Sequence, residues 1–253
     1  MKSFFDEFDK SIKRVNKRLG KYLQEPEDAE AVHDVRTSLR RLEACFTLLP
    51  KKERKAIEKH INAYKDFFKA NSQVRDCDII RQRIEEHKAE ESIMAALARK
   101  RRSELGRAVK IAGKIQKMKP LSLEVKEKAI EKRTSQVVRK LTGRVKESLP
   151  VVISKSEEKE LLHELRKDLK RLRYILEILP ADSKTKHGKK LAKIIGGNVT
   201  TRLEELQEVL GLIHDADITL EYLQQVRGPD EIIEKENAFR DQHYRRFVDI
   251  MSS

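Results

Sequence analysis

Two stretches of this sequence set a histidine and a row of cations at helical spacing. Residues 31–50 read AVHDVRTSLRRLEACFTLLP and residues 161–180 read LLHELRKDLKRLRYILEILP, aligned without a gap at an offset of 130. Seven of the twenty positions are identical: His33/His163, Arg36/Arg166, Leu39/Leu169, Arg41/Arg171, Leu42/Leu172, Leu49/Leu179 and Pro50/Pro180. At an eighth pair, Arg40/Lys170, both residues are cations. Shared leucines report a shared need for a core, whereas a shared histidine and shared cations need another explanation. Arginine offers paired donors to phosphate oxygens and lysine a compact charge. Histidine, with an ordinary pKa near 6.5, donates a hydrogen bond and gains charge when an anion arrives. The chemistry on offer is the capture of a polyvalent anion.

Helical geometry sharpens this reading. At about 100° per residue, His33, Arg36, Thr37 and Arg40 share one face, with Arg41 on its flank. Val35, Leu39, Leu42, Phe46 and Leu49 fall opposite. In the second copy His163, Arg166 and Lys170 take the same places, joined by Lys167, Arg173 and Tyr174, while Leu165, Leu169, Leu172 and Leu176 form the apolar stripe. Like charges at i, i+4 cost a few tenths of a kcal/mol per pair, so the rows imply a counter-anion.

A second motif recurs in the same order. QVRDCDII (73–80) matches LIHDADIT (212–219) at an offset of 139. The carboxylates of Arg75-Asp76-x-Asp78 and His214-Asp215-x-Asp217 are expected near helix N-termini, where they cap N–H groups or hold neighbouring arginines. Arg75 and His214 then add donors to the anion site, and Arg139 and Arg144 are further candidates from a neighbouring helix.

The elements that must position these residues read as helices throughout. Glycine (nine) and proline (six) are scarce, and 38% of residues are apolar but fall at helical spacing. Helices are expected over 3–23, the first repeat helix ending at Pro50, about 51–72, 74–88, 91–117, 123–148, the second repeat helix ending at Pro180, 189–210, from His214 onward, and 231–250. Asn71-Ser72-Gln73, the stretch from Pro150 to Ser156, residues 182–188 and Gly211 are expected as turns or loops. Two motifs in one order imply an all-α fold made of two tandem four-helix bundles. The bundles are read as products of internal duplication, related by a pseudo-two-fold axis, with half-repeats 1–119 and 120–253.

Composition narrows the partners. Lys and Arg number 56 against 42 Asp and Glu, giving a net charge of +14 that attracts polyanions. No run approaches the roughly 18 apolar residues of a membrane span, and no helix joins Trp or Phe to a basic face beyond the N-terminal one, so membrane attachment is not expected. The N-terminus carries acids among its apolar residues and reads as no signal peptide. Cys45 and Cys77 do not make a disulfide scaffold, and a cytoplasmic setting is expected. The His33-Asp34 and His214-Asp215 pairs raise the alternative of an HD-type metal-dependent phosphohydrolase. Such sites need His and Asp converging on one metal from several helices, and His33 stands among arginines. Sequence-independent nucleic-acid binding is the other alternative. The basic faces carry one Tyr between them, few platforms for base stacking, so only weak, salt-sensitive binding is expected from charge.

These residues resemble the CHAD family, the conserved histidine α-helical domain. Its first motif, H-x-x-R-x-x-x-R-R-L, is matched by His33, Arg36, Arg40, Arg41 and Leu42. Its second, L-H-x-L-R-x-x-L-K-x-L-R-Y, is matched by Leu162, His163, Leu165, Arg166, Leu169, Lys170, Leu172, Arg173 and Tyr174. An R-D-x-D element stands at Arg75–Asp78, and L-Q-x-x-L-G-x-x-x-D at Leu206, Gln207, Leu210, Gly211 and Asp215. The first half departs from the pattern with Asn71-Ser72 in place of Leu-Gly, and with Glu43, which can pair with Arg40 or with the other half. The resemblance implies two four-helix bundles flanking a basic groove or pore. It also implies non-enzymatic binding of inorganic polyphosphate, with polyphosphate granules as a site of action. Some relatives are fused to triphosphatase-type domains, but the E-x-E-x-K signature of those partners is missing here. No cofactor, metal or catalytic residue is expected. The expected binding residues are His33, Arg36, Arg40, Arg41, Arg75, Arg139, Arg144, His163, Arg166, Lys170, Arg171, Arg173, Tyr174 and His214.

Overall fold

A computed structural model describes residues 4–87, 90–121, 123 and 125–252. The expected helix limits at residues 3 and 88 lie outside them. The described residues form ten helices and no strand. These are α1 (Phe4–Gln24), α2 (Ala29–Leu48), α3 (Lys51–Ala56), α4 (Glu58–Glu86), α5 (Glu91–Gln116), α6 (Glu127–Ser154), α7 (Lys159–Ile178), α8 (Ala181–Ile195), α9 (Val199–Val226) and α10 (Asp230–Ser252).

The chain divides into two compact units, Met1–Arg133 and Thr134–Ser253. In the first, α2 packs between α1 and α4, and α5 closes on α4 and α1. Its core joins Phe8, Val15 and Tyr22 of α1 to Val35, Leu42 and Phe46 of α2 and to Phe67 of α4. In the second, α9 is flanked by α7, α8 and α10. Leu165, Leu169 and Leu172 of α7 are buried there with Leu206, Ile213 and Leu220 of α9 and Phe247 of α10.

Several expected breaks are continuous helix. Asn71-Ser72-Gln73 lies inside α4 because the stripe Ile61, Tyr64, Phe67, Ala70, Val74, Cys77, Ile80 and Ile84 is buried without interruption. Burial along one face outweighs the weak helix propensity of three polar residues. Asn71 is fully buried and donates from Nδ2 to the Val32 carbonyl at 3.4 Å, joining α4 to α2. Gly211 likewise lies inside α9, and the chain turns earlier, at Gly196 (φ +75°) and Gly197 (φ +58°), a conformation glycine adopts without Cβ strain. Asn198 then caps α9, its Oδ1 accepting from the backbone N–H of Thr200 (3.0 Å) and Thr201 (3.3 Å). Residues 182–188 belong to α8, which buries Gly188, Leu191 and Ile195. Pro150 is carried within α6, and near that helix's end Tyr244 Oη donates to the carbonyls of Val152 (2.7 Å) and Ile153 (3.0 Å). Pro50 and Pro180 follow Leu49 and Leu179, the residues that cap the ends of α2 and α7, close to the expected ends.

Candidate functional site

In the first unit, Asp28 starts α2 by accepting from the N–H groups of Glu30 (2.9 Å) and Ala31 (3.3 Å). An ion pair between Arg18 and Asp34 joins α1 to α2. His33 is exposed, and Thr37 Oγ1 donates to its carbonyl at 3.1 Å. One turn further on, Arg36 is only 9% exposed, while Arg40 and Arg41 are half-buried. The guanidinium carbons of Arg36 and Arg40 lie 5.3 and 5.6 Å from the centre of the Phe68 ring on α4. Arg75 is half-buried two turns beyond Phe68 on that helix. Arg40 and Glu43 form no ion pair among the described residues.

In the second unit, the His163 ring of α7 stands 4.9 Å from the His214 ring of α9, tilted by 36°. Burial lowers the His163 pKa below its ordinary value, and Lys167 and Arg166 push the same way against Glu164 and Glu160. His163 is therefore harder to charge than a free imidazole, and a nearby anion would offset the burial and the neighbouring cations. Arg166 and Lys170 continue the row, both half-buried.

The remaining candidates scatter. Arg173 is committed to local partners, donating to Glu177 Oε1 (2.8 Å) and Gln207 Oε1 (3.0 Å), with Glu204 at 3.8 Å. Arg171 and Arg144 converge instead on Asp168, Arg171 at 3.6 Å and Arg144 in direct contact. Burial raises the Asp168 carboxyl pKa, and the two arginines oppose the rise. Tyr174 is 8% exposed, so packing occupies most of its ring. Arg139 is exposed on α6.

The expected helix-capping role of the second motif is corrected by the structure. Asp76 and Asp78 sit within α4, and Asp215 and Asp217 within α9, where the N–H groups are already bonded. Asp78 Oδ1 accepts from Arg101 Nε of α5 at 2.6 Å, and Arg101 also meets the Glu27 carboxylate and donates to the Glu27 carbonyl at 3.2 Å. Burial works against the Arg101 charge, but Asp78 and Glu27 outweigh it and hold its pKa above the ordinary value. In the second unit Asp217 Oδ1 accepts from Arg240 Nε of α10 at 2.6 Å, and Arg240 donates to the Ser156 carbonyl at 3.0 Å. Each arginine thus joins its own helix, α5 or α10, to the helix bearing the second motif and to the turn that opens the histidine helix. Sequence reading missed both residues, yet a signal was present: Arg101 and Arg240 share the offset of 139 that relates Asp78 to Asp217.

Cys45 and Cys77 are buried free thiols, pushed by burial up to about 12 and about 11, far from the thiolate needed for attack. Among the described residues no group of three or more His, Cys, Asp or Glu side chains is arranged to hold a metal ion. Asp34, the partner an HD-type reading would give His33, is engaged by Arg18. No helix among the described residues is long and apolar enough to cross a membrane.

The comparisons agree with this architecture. A CHAD-domain sequence model matches residues 8–224, and the chain belongs to the CHAD family. The fold is similar to the crystal structure of the CHAD domain from the plant Ricinus communis, with a TM-score of 0.59 and 14% identity over 99% of this chain and 90% of that one. No curated protein matches the sequence.

Proposed function

We propose that this protein binds inorganic polyphosphate without catalysing its turnover, using the His/Arg/Lys rows of α2 and α7. The observation that carries the reading is that each row stands on a packed helix and meets a side chain of the second-motif helix. Arg36 and Arg40 lie on Phe68, and His163 lies against His214. Polyphosphate has repeating anionic oxygens and no base edges, so fixed donors at helical spacing suffice to hold it, and Arg and Lys are the residues for that task.

We also infer that the units arose by internal duplication, which supports reading the two rows as equivalent half-sites. The helix order of α1, α2, α4 and α5 is repeated by α6, α7, α9 and α10, and the Asp–Arg pairs recur at the same offset. The proposed setting is the cytoplasm, on polyphosphate or its granules. His33, Arg36, Arg40, Arg75, His163, Arg166, Lys170 and His214 are the central ligand-binding side chains in this proposal. Arg41, Arg139, Arg144, Arg171, Arg173 and Tyr174 are peripheral, most of them occupied by acids or packing.

The double substitution Arg36→Ala/Arg166→Ala tests the assignment. Removing two charge-assisted hydrogen-bond donors to phosphate is expected to weaken polyphosphate binding by roughly 100-fold, with helical circular dichroism unchanged. Unchanged binding by a folded double variant would overturn the assignment.

A further inference from the structure

We propose that the first unit carries a ligand site apart from the cation rows, a cavity between α4 and α5 that takes a small phosphate monoester. The cavity has a volume of about 330 Å³, toward the lower end of the range for small-molecule sites. Its buried wall is apolar, made by Cys77 of α4 and Leu97 of α5, each 1% exposed, with Ala98 beside them. Arg81, Arg101 and Arg102 bring three guanidiniums to the lining against the one carboxylate of Glu27. None of these residues belongs to the rows of α2 or α7.

The three arginines are not equivalent. Arg101 uses its donors on Asp78 and Glu27 and so forms a fixed wall. Arg81 gives Nε to Glu85 Oε1 at 2.7 Å, an exposed i, i+4 pair of little worth, and neither of its Nη groups is hydrogen-bonded among the described residues. Arg102 is exposed and makes no hydrogen bond or ion pair among the described residues. The second unit shows that the Asp–Arg tie does not require Arg81 and Arg102. Arg240 and Asp217 stand at the offset of 139 from Arg101 and Asp78, and the tie is intact. Yet the same offset puts Leu220, 2% exposed, in place of Arg81, and Asp241, 3.8 Å from Arg240, in place of Arg102. Both arginines of the first unit are thus available to a ligand. A carboxylate would satisfy one guanidinium, whereas a phosphate monoester carries about 1.5–2 negative charges at neutral pH and three acceptor oxygens, which suits two. The apolar wall of Cys77, Leu97 and Ala98 suits a compact organic body behind that phosphate.

NMR titration of the full chain near physiological salt tests this, using AMP, ribose 5-phosphate and phenyl phosphate, each against its unphosphorylated parent. At least one phosphate monoester is expected to bind saturably with a Kd below about 1 mM, at least about tenfold tighter than its parent. Arg81→Leu/Arg102→Asp, which installs the second unit's residues, is expected to weaken that binding more than about tenfold, with thermal melting close to wild type. Arg102→Gln alone, a single change at an exposed position, should lose about three- to tenfold and keeps the test sound if the double variant misfolds. Arg36→Ala/Arg166→Ala, which removes donors from the rows, should leave monoester binding within about twofold of wild type. Failure of all three monoesters to bind overturns this inference, as does an unchanged Kd in the folded Arg81/Arg102 variant. A loss that appears instead in the Arg36/Arg166 variant overturns it too, by placing the monoester on the rows. The readout contains no polyphosphate, so the proposed function stands or falls separately.

Discussion

His163 and His214 stack at the start of the second row, and the electrostatics around His163 make its charge conditional. Its folded pKa lies below the unfolded value, so protonation favours the unfolded chain. The stability it contributes is present above about pH 6.5 and is lost as pH falls through the lower folded pKa. A bound phosphate reverses the local balance and draws a proton onto the ring. Binding is therefore expected to tighten as pH drops from about 8 to about 6. Titrations in two buffers of different ionisation enthalpy should reveal proton uptake that shrinks in His163→Asn. Equal uptake in that variant would place the titrating group elsewhere. Much of the row was legible at this scale, since repeated residue types mark positions held for their chemistry. Phe68, Arg101 and Arg240 were not singled out, because a lone aromatic or arginine acquires its role only when a distant helix brings its partner.

At the scale of the element, the Asp78–Arg101 and Asp217–Arg240 pairs tie α5 and α10 to the second-motif helices and to the turns that open the histidine helices. Arg240 is 5% exposed and Arg101 is also largely covered. Removing Arg240 takes away its bonds to Asp217 and to the Ser156 carbonyl and leaves part-buried Asp217 with only Lys159 at 4.0 Å, at a cost of about 1–3 kcal/mol. Arg240→Ala is expected to destabilise the second unit by about that amount, measured by urea unfolding. A change below about 1 kcal/mol, the worth of an exposed pair, would show that the tie carries little. Helix identity was largely readable from the apolar period, and helix ends were not. Pro50 and Pro180 mark true ends because they stand where the buried stripe also ends. Pro150, Gly211 and Asn71-Ser72-Gln73 carry the same local signals within helices whose buried faces run on. Gly196-Gly197-Asn198 is a true boundary where positive-φ glycines and a capping side chain coincide.

At the scale of the whole molecule, the net charge of +14 attracts any polyanion, and attraction alone is not recognition. Binding to polyphosphate and to RNA should both weaken as salt rises, since both displace condensed counterions. The fixed rows on α2 and α7 should nonetheless distinguish them, because RNA offers phosphates at wider spacing and few aromatic platforms are available for its bases. Arg139→Ala, which removes an exposed charge distant in sequence from either row, is expected to lower affinity for both polymers alike by about twofold or less, read from salt titrations of each complex. The most direct test is calorimetric titration of long-chain polyphosphate near physiological salt, against RNA of equal phosphate content. Saturable binding to polyphosphate at least about tenfold tighter than to RNA is the predicted result. Equal, weak binding of both polymers would contradict the account and reduce the cation rows to unspecific electrostatics.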